Sequence, residues 1–301
     1  MMRLALAAAM IAAVLDASQV PFRSAVDVVE VDVSVMRGGK PVSGLTAANF
    51  KLTDNGVEQA IAGVSLERLP LNVFLVLDVS GSVEGERLAS LVDAGLGLLQ
   101  TLRSDDRAAL VTFSEAVRVD VALTKDAPSI ERALKALSAR GGTSLRDSVH
   151  VALQLQPLEA TRSVVILFTD GRDTMSWLPA PSVVDEARRR GVVIQVIELQ
   201  DPVISPLPIG PGQRSEPVRI RPPILEQLTA ASGGRIWSAA SPRDLRSLFT
   251  QALEEMRARY LLTFTPSGRP QDGWHDLKVT LQHARGDVTA RTGYFVAPKT
   301  R

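Results

Sequence analysis

Asp78, Ser80 and Ser82 stand at alternate positions where an apolar run ends, and two further oxygen-bearing residues, Thr143 and Asp170, follow at later glycine-flanked loops. Together they make a candidate cation site. Asp carboxylate and Ser or Thr hydroxyl are hard oxygen donors, which suit Mg²⁺, Mn²⁺ or Ca²⁺ rather than zinc or copper. The 301-residue chain has no cysteine, and His150, His275 and His283 are its only imidazoles, so thiolate ligands are excluded and nitrogen ligands are few. Alternate spacing lets one loop aim three side chains at one point. The glycines in Gly141-Gly142-Thr143-Ser144 and Thr169-Asp170-Gly171 allow close backbone approach and positive φ.

The elements around these residues must position them. The run 73–77 is short, continuous and rich in apolar residues, which predicts a central parallel strand, and 83–102 carries apolar residues at helical intervals. Asp78, Ser80 and Ser82 then sit on a strand-to-helix loop, at the carboxyl end of the strand, where open α/β sheets bind their ligands. Residues 108–113 and 117–123 predict two strands joined by the tight turn Ser114-Glu115-Ala116, and 163–169 and 192–199 predict further apolar strands. Helical runs lie between, at 129–138, 144–154 and 181–190. The last ends in Arg188-Arg189-Arg190-Gly191, cations in the final turn and a glycine beyond, as a helix C-terminus prefers. The basic triplet therefore reads as capping and solvated face rather than a nucleic-acid patch.

Each piece alone has an ordinary explanation. Ser82 before a helical run reads as an N-cap, Thr143 as a cap of the helix over 144–154, and Asp170 as an Asp-Gly turn. All three in the right order, each at a loop beside the right element, make a metal site the better reading. Asp147, Asp173 and Glu115 lie near in sequence and read as solvated surface charges.

The pattern Asp-x-Ser-x-Ser at 78–82, a distant Thr at 143 and Thr-Asp-Gly at 169–171 resembles the metal-ion-dependent adhesion site of von Willebrand factor A domains. The resemblance covers 70–259, nearly two thirds of the chain. It implies an α/β fold, a doubly wound, mainly parallel, Rossmann-like sheet, with Asp78, Ser80, Ser82, Thr143 and Asp170 as direct or water-mediated ligands of Mg²⁺, or of Mn²⁺ or Ca²⁺. Mg²⁺ takes roughly six oxygens, so five side chains and waters leave a position for an Asp or Glu carboxylate of a protein partner. The implied function is cation-dependent protein binding, in adhesion or assembly, without catalysis. In related A domains the Thr loop is coupled to the last helix, here 242–259, which leads straight into Tyr260. Two other readings stand beside this one: a purely structural exported module without metal, and a metal-dependent hydrolase. A phosphatase with Asp78 as nucleophile would want a second carboxylate where Ser80 stands, and no Gly-x-Ser-x-Gly elbow surrounds Ser80.

Composition agrees with a globular chain: 45% hydrophobic residues supply a core, and a formal charge of +1 gives no case for nucleic acid. Absence of cysteine excludes a disulfide framework and a thiol nucleophile. At the start, Met1-Met2-Arg3 precedes the apolar run 4–15, too short to span a bilayer, so 1–17 reads as a signal peptide with Ala17 as its last residue. An Ala-rich core helix is the alternative. No other segment reaches spanning length, which predicts a secreted or periplasmic mature chain without a membrane span.

The flanks alternate as strands do. Val26, Val28, Val31, Val33 and Val35 precede a Gly38-Gly39 turn and the run 50–53 with Asp54-Asn55-Gly56; at the other end 260–265, 274–281 and 288–296 alternate. Neither end has strands enough for a two-layer core. They are expected to pair, 18–69 with 260–301, as one discontinuous β-sandwich into which 70–259 is inserted. The order of Val31-Asp32-Val33, Gly44-Leu45-Thr46 with Phe50, the adhesion-site domain and Gly293-Tyr294-Phe295 resembles a family of secreted bacterial A-domain proteins first catalogued as acidobacterial. Residues 201–223, rich in proline, glycine and arginine, read as a long exposed loop.

Overall fold

A computed structural model describes residues 28–66, 69–157, 162–170, 173–199, 221–268 and 272–296. The expected signal peptide, Gly171 and all but the last three residues of the loop over 201–223 lie outside them.

Alternating valines open the described chain: Val29, Val31, Val33 and Val35 are all buried in β1 (Val29–Arg37). β2 (Lys40–Pro41), β3 (Phe50–Asp54), β4 (Val57–Gln59) and β5 (Ile61–Ser65) follow. The chain then runs through β6 (Leu71–Asp78), α1 (Glu86–Thr101), β7 (Arg107–Phe113), β8 (Val117–Thr124), α2 (Ala127–Lys135), α3 (Leu145–Gln154) and β9 (Arg162–Thr169). After these come α4 (Ala180–Arg190), β10 (Val193–Leu199), α5 (Pro223–Ser232), β11 (Ile236–Ala239) and α6 (Leu245–Arg257).

These central elements form a six-stranded sheet in the order β11-β10-β9-β6-β7-β8, parallel except for β8. β6 is buried at every position, as a strand covered on both faces must be. Its side chains divide by parity. Val73, Leu75 and Leu77 pack with α1, α2 and α6 through Leu91, Leu98, Ile130, Leu134, Phe249 and Leu253. Phe74 and Val76 pack on the other face with α3, α4 and α5 through Val149, Leu153, Val183, Leu225 and Leu228. Each such Leu or Phe withdrawn from water is worth about 1.5–3 kcal/mol, so both layers are held by the central strand. This is the expected α/β class with a doubly wound, mainly parallel sheet.

Four strands end the described residues: β12 (Tyr260–Phe264), β13 (Gly273–Leu281), β14 (Asp287–Ala290) and β15 (Gly293–Val296). They pair with strands from the beginning, in one sheet ordered β14-β1-β12-β5, with β2 beside β1, and a second ordered β15-β13-β3-β4. Both sheets contribute to one core, in which Phe50 meets Tyr260 edge-on with ring centres 5.4 Å apart and Phe264 meets Tyr294 at 6.3 Å.

Several elements differ from the expectation: α2 lies at Ala127–Lys135 where 129–138 is expected, β4 and β5 are additional, and three more differences have a local cause. The helix over 83–102 begins only at Glu86, because a 3₁₀ turn at Gly81–Val83 and Gly85 at φ 76° intervene. The strand over 288–296 is two strands: β14 hydrogen-bonds to β1 and β15 to β13, so the chain changes sheet at Arg291 and Thr292. Gly293 makes this crossing fit, since a Cβ there would stand 2.2 Å from Trp274 Cζ2. β11, short and mostly half-exposed, carries too few buried positions to have shown a period.

Candidate metal centre

Asp78 is the last residue of β6 and is fully buried. Beyond it, Val79 N–H still donates to Phe113 O at 2.8 Å, so the loop leaves the sheet beside β7. The chain then folds back on the carboxylate. Ser80 N–H donates to Asp78 Oδ1 at 2.9 Å, Thr169 Oγ1 donates to Asp78 Oδ2 at 3.0 Å, and the Ser80 and Ser82 hydroxyls lie 3.1 Å apart. Burial pushes the Asp78 carboxyl up to about 6; the bonds from Ser80 and Thr169 oppose this, and the charge of Asp170 adds to it.

The glycine-flanked loop reaches the site through backbone. Gly81 N–H donates to Gly141 O at 3.0 Å and Arg140 N–H to Val79 O at 2.9 Å. Gly141 has φ 74°, a backbone conformation that favours glycine, and a Cβ on it would stand 2.9 Å from the Glu115 carboxylate, which would have to move aside. Thr143, two residues on, is 4% exposed. Its N–H donates to Thr174 Oγ1, and its carbonyl accepts from Thr174 and Met175 N–H, each at 3.0 Å.

The simple capping explanations do not describe these hydroxyls. The residue before α3 is Ser144, not Thr143, and Ser144 Oγ donates to Glu115 O at 3.2 Å instead of accepting from the helix. Ser80 precedes the 3₁₀ turn without a side-chain cap bond, and Ser82 lies inside that turn. The donor set thus remains a set of hard oxygens gathered at one end of the sheet. Among the described residues no three His, Cys, Asp or Glu side chains converge at metal-ligating range. A cation here would rest on two carboxylates and on hydroxyls, which fits a hard dication and not a thiolate or imidazole centre.

Asp147 and Asp173 are not the solvated charges expected of them. Asp173 accepts from Arg146 Nε at 2.8 Å and from Ser176 N–H at 3.1 Å. Asp147 accepts from Trp177 and Leu178 N–H, both at 3.0 Å. Both carboxylates are occupied by donors that face them only once residues 173–178 have folded over α3, so sequence proximity could not reveal the role. Thr169 was missed for a related reason: a Thr at a strand end has an ordinary β-former's signature, and only the parallel pairing of β6 with β9 brings it to Asp78. A second titratable cluster lies among the flanking strands, where Asp54 accepts from Tyr294 Oη at 2.8 Å and meets His275 Nδ1 at 2.8 Å. Burial, and then the bond to Asp54, pushes the Tyr294 phenol well above its ordinary range.

An open, mainly parallel α/β sheet with a buried carboxylate and clustered hydroxyls at the carboxyl ends of its central strands defines a domain of the doubly wound class, in which that end of the sheet is the usual place for a ligand. Residues 73–172, about a third of the chain, match the family model described as the von Willebrand factor type A domain. It is 34% identical over 110 residues to the Synechocystis protein named "Uncharacterized protein sll0103", a stretch of 35% of this chain and 26% of that one, so the chain spans about a quarter of that relative. The fold is also similar to that of "von Willebrand factor type A from Catenulispora acidiphila", with a TM-score of 0.51 and 12% identity over 91% of this chain and 74% of that one. Proximal thread matrix protein 1 from the mussel byssus, in a structure "with zinc occupied MIDAS motif", has a TM-score of 0.52 and 16% identity over 66% of this chain and 48% of that one.

Proposed function

We propose that the chain is an exported, divalent-cation-dependent protein-binding module, serving adhesion or assembly, in which Asp78, Ser80, Ser82, Thr143 and Asp170 hold a cation directly or through water. The observation that carries this reading is the fully buried Asp78 carboxylate, ringed by hydroxyls that cap no helix, on loops tied to one another by backbone bonds. The bound cation supplies an electrophilic position open to an Asp or Glu carboxylate of a partner. The chain's own part is to preorganise the oxygens. Thr169 and Ser80 N–H fix the rotamer of Asp78, the bond from Gly81 to Gly141 holds the Thr143 loop to the Ser80 loop, and burial of Asp78 excludes competing water. Mg²⁺ is the proposed cation, with Mn²⁺ and Ca²⁺ as hard alternatives; the zinc of the mussel protein makes Zn²⁺ a further ion to test.

We further propose the division into a signal peptide over 1–17, a discontinuous β-sandwich from 18–69 and 260–301, and the A domain at 70–259. Turnover is not part of the reading: Ser80 is 2% exposed and lies against Asp78 and Ser82, with no histidine beside it among the described residues. Thermal unfolding in EDTA, Mg²⁺, Mn²⁺, Ca²⁺ and Zn²⁺, for wild type and Asp78→Ala, tests the site. A cation at a hundred times its Kd adds about 2.7 kcal/mol to the folded state, so wild type is expected to melt higher with metal and Asp78→Ala to show no shift. Absence of any shift in wild type defeats the proposal and leaves a structural module.

A further inference from the structure

Two large apolar side chains stay in water within three residues of each other, next to the loop of the candidate metal centre: Trp177 is 94% exposed and Met175 48%. The backbone beneath them is fastened. Thr143 O accepts Thr174 and Met175 N–H, both at 3.0 Å, and a Cβ on Gly142 would stand 2.6 Å from Met175 Cγ, so Met175 lies against the backbone that carries Thr143. Trp177 N–H is held by Asp147 at 3.0 Å, Ser176 N–H by Asp173 at 3.1 Å, and Arg146 bridges to both Asp173 and the Ser176 carbonyl. An indole held out on a pinned loop has little backbone order left to lose when it is covered, and truncating a Trp that becomes buried in an interface is characteristically among the largest single losses.

We propose that Trp177, with Met175 beside it, is a specificity-determining anchor: it receives an aliphatic or aromatic side chain from the same partner segment whose Asp or Glu meets the cation. This rests on the cation-and-carboxylate reading above. A cation alone selects any accessible carboxylate; a second, apolar contact at fixed offset distinguishes one acidic segment from another. Continuity with the Thr143 loop fixes the offset, because the anchor segment hydrogen-bonds to the very residue assigned to the cation. Neither Trp177 nor Met175 carries a charge, so a Leu or Phe side chain that covers them leaves no ion desolvated, whereas a Lys or Arg head would exchange its hydration for the indole face alone.

The test is a peptide array of 12-residue segments, each with one central Asp and with neighbours varied through Leu, Phe, Ser, Lys and Arg. It is probed with the full chain in EDTA and in the cation that gives the largest melting shift. Wild type is expected to capture, only with cation, the segments carrying Leu or Phe within about four residues of Asp. Trp177→Ala is expected to weaken that capture about thirtyfold, the order of a central Trp truncation, while keeping the melting shift and the need for Asp. Asp78→Ala is expected to lose both capture and shift. Cation-dependent capture without apolar preference, a preference for Lys or Arg, or a preference that survives Trp177→Ala overturns the anchor and leaves the metal site standing. A melting shift without any cation-dependent capture overturns the anchor too; absence of the shift itself brings down the parent reading.

Discussion

Asp78 is a carboxylate with no exposure to solvent, and its neighbours only partly compensate for its lost hydration. Because the folded state holds its proton more tightly than the unfolded chain, raising the value from 3.8 to about 6, the neutral form contributes stability that is fully present below pH 3.8 and is lost as pH rises through 6. In EDTA, Asp78→Asn mimics the neutral form and is expected to stabilise the protein at pH 7.5 by up to roughly 3 kcal/mol, with the gain vanishing near pH 4; urea titrations at the two pH values measure it. The same variant is expected to lose the cation-induced shift, so the two effects have opposite sign. Asp78, Ser80 and Ser82 are legible as a candidate set because alternate spacing is visible in one short stretch. Thr143 and Asp170 join that candidate set through their glycine-flanked loops and their order in the chain, whereas Thr169, Asp147 and Asp173 need the fold, since their partners are brought to them only by the folded chain.

Elements were most readable where their period was long and least where a junction decided their ends. The continuous apolar run of β6 is plain in the sequence, yet just beyond the last helix lies a buried network with no local signal. Arg259, fully buried just after α6, donates from Nη2 to Glu255 Oε1 at 2.9 Å; Glu255 Oε2 accepts from Gln195 Nε2 at 2.5 Å; and Gln195 Oε1 accepts from Trp237 Nε1 at 2.9 Å. The network joins α6 to β10 and β11. Glu255→Ala is expected to cost about 3–5 kcal/mol, because it strands a buried guanidinium, whereas the double variant Glu255→Met with Arg259→Met should cost much less; chemical denaturation of the three proteins separates the cases. Close approach acts similarly elsewhere. A Cβ on Gly234 would stand 1.8 Å from Ile194 O, so Gly234→Ala is expected to displace β11 from β10 and lower the melting temperature. That outcome is invisible in a sequence where Gly233-Gly234 looks like any helix stop.

At the scale of the whole molecule, the flanking strands attach at the end of the sheet opposite the site. Arg162, the first residue of β9, is ion-paired with Asp32 of β1, while Thr169 at the other end of the same strand holds Asp78. Seven residue steps of strand separate the two, roughly 23 Å. The C-terminal turn of α4 rests on the same junction, with Arg189 4.3 Å from the centre of the Phe295 ring and Arg188 5.6 Å from that of Trp274. The arginine triplet that reads as capping in the sequence is therefore part of a contact between sequentially distant parts, which no local pattern announces. Such an arrangement places the candidate site at the end of the sheet away from the flanking strands and makes α6, running directly into β12, the shortest covalent path between the central sheet and those strands. The cation–π contacts are worth about 0.5–1 kcal/mol each at exposed positions, and the Arg162 pair, with Arg162 side-chain exposure of 7%, more when broken. Wild type is accordingly expected to unfold in a single calorimetric transition. Asp32→Asn with Trp274→Ala should split it in two, with only the transition of the central sheet responding to added cation. If instead the variant melts as one cation-sensitive unit, the sheet and its carrier are coupled through α6 alone, and hydrogen exchange along α6 should then change when the cation binds.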